Sequence, residues 1–255
     1  MQLATWNVNS LNVRLPQVLD WLAANPVDVL ALQETKMTDD KFPAAAFLEA
    51  GYNAQWFGQK TYNGVALLTK AALPVADVVK NIPGFTDDLA RVITATVDDV
   101  RVIGAYFPNG QEPGSEKFDY KMNWLRGLRD WLKLELAAHP KLVIMGDYNI
   151  TFDDLDVWDP VALEGTIHCT EEERYELRAL IALGLTDAHR LFEHPPKSYS
   201  WWDYRDFAFR RNRGLRIDHI LVSPAVKATV SACEIDKSPR KNDRPSDHAP
   251  VVVTF

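Results

Sequence analysis

At 255 residues, with 47% hydrophobic and 25% charged side chains, the chain has the make-up of one large globular domain. That apolar content excludes disorder as the main state, 12 glycines and 15 scattered prolines exclude collagen and coiled coil, and no run approaches the ~18 apolar residues of a membrane helix. The net charge of −7 is unevenly spread: Lys197 to Arg244 holds eleven basic and six acidic residues, so it carries +5 against −12 elsewhere, and one face is expected to meet a polyanion.

The opening MQLATWNVNS has neither a basic start nor an apolar run, so no secretory signal is expected. Gln2–Trp6 predicts the first strand. Leu15, Val18, Leu19 and Leu22 then recur at helical spacing after Ser10 and Asn12, and Pro26 closes that helix. Strands follow at Val27–Leu32, Val65–Leu68, Val92–Val97 and Val100–Tyr106, the last two joined by an Asp98-Asp99 hairpin turn. Trp124, Leu125, Leu128, Trp131, Leu132 and Leu136 mark a second helix, entered near Ser115 and stopped by Pro140. After a strand at Leu142–Met145, Thr170 and Glu173 form a capping-box pairing at the start of a helix over Glu171–Leu183. Strands at Ile217–Val222, Thr229–Ile235 and Val251–Phe255 complete the chain. Most strands are near-continuous Val/Ile runs, the mark of strands covered on both faces. With no repeat and no linker, residues 1–255 read as one α/β domain: mixed β-sheets with helices outside both faces. Cys169 and Cys233 are too few for a disulfide scaffold and sit in no metal-like spacing, which fits a reduced, cytoplasmic setting. No dense Lys/Arg block gives a nuclear address.

Polar residues collect where the apolar strands end. Trp6 leads to Asn7-Val8-Asn9, Leu32 to Gln33-Glu34-Thr35, and Met145 to Gly146-Asp147-Tyr148-Asn149. Arg216-Ile217-Asp218-His219 opens one strand, and Ser246-Asp247-His248-Ala249-Pro250 precedes the last. Taken singly, each reads as readily as a turn or cap residue. Together they supply carboxylates, amides and a histidine. Oxygen donors without Cys suit Mg²⁺ or Mn²⁺, and a histidine beside carboxylates suits proton transfer or a charged phosphoryl oxygen. The combination describes metal-assisted hydrolysis of a phosphate ester.

Those stretches, with Tyr106-Phe107-Pro108-Asn109-Gly110, make six motifs in the order of the exonuclease III family, which the chain resembles from Leu3 to Val253. That family comprises Mg²⁺-dependent AP endonucleases and 3′-repair nucleases of the endonuclease/exonuclease/phosphatase superfamily. Tyr199-Ser200-Trp201-Trp202-Asp203-Tyr204-Arg205 and Asn212-Arg213-Gly214-Leu215-Arg216 are similar to its DNA-repair branch, not to the lipid or inositol phosphatases. The resemblance implies a four-layer α/β sandwich of two packed mixed β-sheets flanked by helices. It also implies damaged double-stranded DNA as partner; the sequence itself gives no support to a membrane or a stable protein partner, and a monomer is expected.

By the same resemblance, Glu34 with Asn7 is the metal site and Glu34 its main ligand. Asp147 and Asn149 stand beside the attacking water, Asp147 as base or as leaving-group acid. His248 contacts the scissile phosphate, Asp218 holds its ring, and Tyr106 reaches the phosphate or the leaving oxygen. Asp247 lies near the metal, either orienting neighbours or binding a second ion. Asn9 stands where some relatives carry an acid, which weakens a two-metal reading. Trp201 and Trp202 match the segment lining the lesion pocket, although alternation along a strand puts at least one of such a pair in the core. Arg205, Arg210, Arg211 and Arg213 are placed to meet phosphates. Tyr62 and Asn63 occupy a turn where relatives meet the damaged strand, and equally fit a plain hairpin turn. At His168, AP-endonuclease members more often carry a small residue. An imidazole there either blocks the backbone running past an internal abasic site, favouring 3′-blocking groups, or merely faces solvent. A full AP endonuclease is the alternative. A silent DNA-binding protein on the same fold would be expected to lack one of these groups, and all are present.

Overall fold

Alternate residues of β1 (Gln2–Asn7) serve two different cores. Leu3 lies among Val29, Ala31, Val102, Val143 and Val253, while Ala4 and Trp6 pack with Val18, Trp21 and Leu22 of α1 (Leu11–Ala24). The same division splits β8 (Leu142–Asp147): Val143 and Met145 join the first core, Leu142 and Ile144 the one formed with Leu125, Leu128 and Leu132 of α3 (Glu116–Ala138). Further along each inward row, after Thr5 in β1 and directly after Met145 in β8, stand the polar Asn7 and Asp147.

The computed structural model describes residues 1–255. Its other elements are β2 (Val29–Gln33), α2 (Ala44–Glu49), β3 (Tyr52–Phe57), β4 (Val65–Lys70), β5 (Val75–Lys80), β6 (Val92–Val97), β7 (Val100–Tyr106) and α4 (Pro160–Leu163), followed by α5 (Glu171–Ile181), β9 (Thr186–Asp187), β10 (Asp218–Val222), α6 (Pro224–Lys227), β11 (Ala232–Ile235) and β12 (Val251–Thr254). Two mixed six-stranded sheets result, ordered β11-β12-β1-β2-β4-β3 and β5-β6-β7-β8-β10-β9. Only β1 with β2 and β7 with β8 pair in parallel, and α1 and α3 are their crossovers. Helices therefore flank both sheets and the shared core lies between them, the expected α/β sandwich. At Gly104 of β7 a Cβ would lie 3.1 Å from Leu67 and 3.3 Å from Ala31 of the other sheet, so glycine permits the close approach.

Some elements differ from the expected ones. β3, β5, β9 and α2 carry no strong apolar period, and β5 is an edge strand with mostly exposed side chains. The strand expected at Thr229–Ile235 begins only at Ala232, because Thr229 N–H and hydroxyl both return to Val226 C=O after α6. Ser10 does not cap α1: its φ is 90° and its side chain makes no capping bond. Thr170 and Glu173 do form the reciprocal capping box of α5.

The basic excess of Lys197–Arg244 is smaller at the surface than in the sequence. Arg240 is buried against Phe209 and donates to Ser246 C=O. Arg216 is buried between Asp156 (Nε–Oδ1 2.7 Å) and Asp187 (Nη2–Oδ2 2.8 Å) and donates to His219 Nδ1 at 3.1 Å. Burial and then the Arg216 charge hold His219 down to about 4, so its neutral ring accepts from Arg216 and donates from Nε2 to Ile150 C=O at 2.8 Å. His168 and His189 are likewise held down, to about 4 and about 3, by burial first. Below pH ~6.5 the unfolded chain takes up protons that these folded histidines refuse, so the folded state loses stability as pH falls from there. Melting temperature is expected to drop between about pH 6.5 and 4, offset in part by Asp147, whose buried carboxyl is pushed up to about 7 and gains its proton in the folded state first, and less steeply in His219→Gln. Thermal unfolding across pH checks this. A flat profile over that window would contradict it.

Candidate active site

The ends of β1, β2, β7 and β8 and the start of β10 open on one side of the sandwich, and the register aligns them. Asp147 pairs with Tyr106 on one side and with Asp218 on the other, and Asn7 pairs with Gln33, the residue before Glu34. Several of the residues at this end, like turn residues elsewhere in the chain, have left-handed backbone: Asn9 (φ 44°), Glu34 (φ 53°), Lys36 (φ 55°), Asn149 (φ 51°) and His168 (φ 74°). Each such residue carries strain that surrounding contacts must hold.

Asn7 is the link between the two sheets. Its amide NH₂ donates to Glu34 Oε1 at 3.0 Å and to Asp147 Oδ2 at 2.9 Å, while its oxygen accepts from Asn9 N–H at 2.9 Å. That backbone N–H fixes the amide orientation, so Asn7 holds the two carboxylates in place with its donors. Glu34 Oε2 lies 2.8 Å from Lys36 Nζ, which also donates to Asn9 Oδ1. Asp147 Oδ1 accepts from Asn149 N–H at 2.9 Å, and the Asn149 amide donates to Phe107 C=O at 3.1 Å.

His248 Nδ1 lies 2.9 Å from Asp218 Oδ2, and its Nε2 is 3.7 Å from Asp147 Oδ2. Ser200 Oγ donates to Asp218 at 2.7 Å and accepts from Asp218 N–H at 3.0 Å. Burial alone would strip the His248 proton, but Asp218 and Asp147 reverse that and push it up to about 10. Burial raises the Asp147 carboxyl well above the usual carboxylate range, opposed by His248 and reinforced by Asp218. Burial, then Glu34 and Asp147, keeps the Tyr106 hydroxyl protonated as a donor. Asp147, Asp218 and His248 bring ligand atoms within 4.8 Å of one another. A protonated imidazole has no lone pair for a metal, however, so these three read as an ion-paired cluster. Glu34, with 18% of its side chain exposed, is the more accessible carboxylate and the better candidate for a hard cation, which would have to displace the Lys36 ammonium now 2.8 Å from Oε2.

The remaining predicted residues fall into two groups. Trp201 is half-buried between His168 and His248, its ring centroid 6.5 Å from each, and its Nε1 donates to Asp247 Oδ2 at 2.9 Å. Asp247 Oδ1 accepts from Asn9 at 2.9 Å, so both of its oxygens already orient neighbours. Trp201, His168, Asn109, Trp158, Arg213 and Leu215 line a cavity of about 680 Å³ beside the cluster. His168 does not face solvent: it is 8% exposed, with Nδ1 2.7 Å from Asn149 C=O. Trp202 is not a pocket wall. Strand alternation turns it into the core with Tyr199, Ala208 and Ala249. Tyr62 is exposed, but Asn63 is buried and its NH₂ is bound to Gln59 at 3.0 Å, so it shapes its turn. Arg210 and Arg211 are exposed, Arg213 lies 4.9 Å over Trp158, and Arg205 is paired with Asp203. Sequence reasoning missed Lys36, Ser200 and Lys121 as partners of these groups; only Lys36, two residues from Glu34, gave any local signal.

The profile of the Endonuclease/Exonuclease/phosphatase family matches residues 4–248. The chain is 34% identical to exodeoxyribonuclease III of Haemophilus influenzae, covering 100% of both chains. Among solved structures, it superimposes with a TM-score of 0.97 and 48% identity, over 100% of this chain and 99% of the other, on a Neisseria protein, NExo, solved as a 3′ phosphatase bound to product DNA hairpin and as a 3′-5′ exonuclease. An AP endonuclease from Archaeoglobus fulgidus matches with a TM-score of 0.96 and 34% identity over 100% of this chain and 99% of that one. Motif order, sheet topology and these matches agree: the chain belongs to the endonuclease/exonuclease/phosphatase family, and within it to the exonuclease III-type DNA-repair nucleases.

Proposed function

We propose that this protein is a Mg²⁺-dependent hydrolase of damaged duplex DNA that favours 3′-blocking groups and 3′ ends over incision at internal abasic sites. The observation that carries the reading is one cluster in which Asn7 joins Glu34 to Asp147 while Asp147 faces the His248–Asp218 pair. Glu34 would hold the cation, and Mn²⁺ suits the same carboxylate; Asn7, expected as a ligand, instead steadies Glu34 through its NH₂, because its oxygen is turned to Asn9 N–H. When bound, that ion supplies positive charge at a non-bridging phosphate oxygen, where an attacking water meets repulsion. Asp147, with its raised proton affinity, accepts the water's proton, and Asn149 helps fix its position. Imidazolium His248 donates to a phosphate oxygen, oriented by Asp218, and the Tyr106 hydroxyl donates to the phosphate or the leaving oxygen. Asp247 orients Trp201 and Asn9 around them.

Lesion preference rests on His168, whose ring stands in the wall of the cavity next to Trp201. A strand ending there fits beside it; a strand running on meets the imidazole. The 48% identical Neisseria protein, described as a 3′ phosphatase and 3′-5′ exonuclease, supports this side of the family's chemistry. Arg210, Arg211 and Arg213 would position phosphates without reading sequence, and Tyr62 would approach the damaged strand. The protein is taken to act as a cytoplasmic monomer; no helix is long and apolar enough to cross a membrane.

The test uses oligonucleotides bearing an internal abasic analogue, a 3′-phosphate or a plain recessed 3′ end, each with Mg²⁺ or EDTA. Chelation is expected to abolish all turnover, the 3′-phosphate to react faster than the abasic site, and His168→Ser to raise abasic incision at least about tenfold. Turnover that survives EDTA would refute the chemistry. Abasic incision as fast as 3′-phosphate removal would refute the preference.

A further inference from the structure

Lys121 of α3 is entirely buried, a rare state for an ammonium unless it is paired. Its Nζ donates to Asn109 C=O at 3.1 Å, to Asn149 C=O at 2.7 Å and to Glu173 Oε1. Glu173 is also fully buried, and it does more than cap α5. Its Oε1 accepts from His168 N–H at 3.1 Å, and its Oε2 accepts from Thr170 N–H at 3.2 Å. Asn149 C=O, which receives Lys121, also receives His168 Nδ1 at 2.7 Å. The contacts close a ring around one residue: Lys121 to Asn149 to the His168 imidazole, and Lys121 to Glu173 to the His168 backbone.

We infer that the buried Lys121–Glu173 pair is a positioning device that sets His168 as a fixed neutral imidazole at the cleft, with Nδ1–H turned inward and the Nε2 lone pair turned outward. Two independent features support this. The φ of 74° at His168 is strained for any non-glycine residue and persists only where contacts over-determine it; Glu173 grips its N–H and Asn149 its ring. A carbonyl is an acceptor only, so Nδ1 carries a proton, and the Lys121 ammonium 2.7 Å from the same Asn149 oxygen disfavours a second cation beside it, which leaves Nε2 as the acceptor. Burial and the neighbouring Lys121 charge hold the ring's proton affinity down to about 4, which keeps it neutral near pH 7. The cleft wall then offers a hydrogen-bond acceptor, not a cation, to a DNA end. The consequence for lesion choice rests on the preference proposed above.

The test pairs Lys121→Met with Glu173→Gln. The double variant removes both buried charges together and leaves a Gln that still satisfies the capping box. Thermal unfolding establishes that it folds. In the intact protein, ¹⁵N NMR of His168 is expected to show the Nδ1–H tautomer alone from pH 6 to 8. In the double variant, mixed tautomers and a titration above about 4 are expected, still below the ordinary histidine value because burial remains after the Lys121 charge is gone. The ratio of abasic incision to 3′-phosphate removal should rise about tenfold, with no further rise when His168→Ser is added. An Nε2–H tautomer in the intact protein overturns the inference even if the variant fails to fold. So does a double variant with unchanged tautomer and unchanged ratio. If His168→Ser alone leaves the ratio unmoved, the lesion preference fails, while the tautomer measurement still decides the positioning role.

Discussion

Replacing Asp147 by Asn is expected to lower turnover of every DNA substrate by about 10³-fold, a loss in the range for removing a positioned base. The carboxylate is 1% exposed and meets Asn7 at 2.9 Å, Asn149 N–H at 2.9 Å and His248 Nε2 at 3.7 Å, so one substitution removes the proton acceptor and unbalances its neighbours. Stability should change little. The variant keeps one acceptor oxygen for Asn149 N–H and loses the bond from Asn7, but it also relieves a buried negative charge held beside Asp218 and Glu34. His248 should then titrate below its present value of about 10, since Asp147 is one of the two carboxylates that hold its proton most strongly. Single-turnover kinetics, thermal unfolding and His248 NMR titration check the three parts. A folded Asp147→Asn protein keeping a tenth of its turnover would remove Asp147 from the chemistry.

The largest expected loss of stability lies elsewhere, at Arg216. Arg216→Met leaves Asp156 and Asp187, 2% and 6% exposed, with only the more exposed Arg190, 2.8 Å from Asp156 and 3.9 Å from Asp187, as a cation. Breaking a buried ion pair on one side costs about 3–5 kcal/mol, because the remaining charges stay desolvated. At about 2–4 °C per kcal/mol for a chain of this size, melting temperature should fall by roughly 10 °C. Converting Asp156 and Asp187 to Leu in the same variant should recover much of that loss, since apolar replacement of a whole buried cluster is often neutral. A fall under about 3 °C, corresponding to less than about 1 kcal/mol, would show that water or Arg190 already compensates.

Asp156 illustrates why part of the molecule was not legible in the chain. Nothing around Asp153-Asp154-Leu155-Asp156 distinguishes the residue that Arg216 holds from its exposed neighbours. The partner is remote in sequence, and local pattern carries no information about it. Lys121 is similar: it sits on a helix among charged residues, and only the packing of α5 against α3 removes it from water. Trp201 and Trp202 stand between these cases. Alternation required that one of them enter the core; the pairing of Trp201 with Leu215 and His248 decided that it was Trp202.

The chain by itself determined the strands with continuous Val/Ile runs, the three main helices, and the chemical kinds of side chain at the strand ends. Those are properties of short windows, where side-chain period and turn chemistry act directly. Tertiary structure alone decided which donors meet which acceptors. It turned the Asn7 amide toward Glu34 and Asp147, withdrew Asn63 and Trp202 from the surface, and enclosed His168 between Asn149 and Glu173. The physical reason is desolvation: a carboxylate, an ammonium or an imidazole acquires its working charge only from the groups that replace water around it, and in this fold those groups come from distant strands.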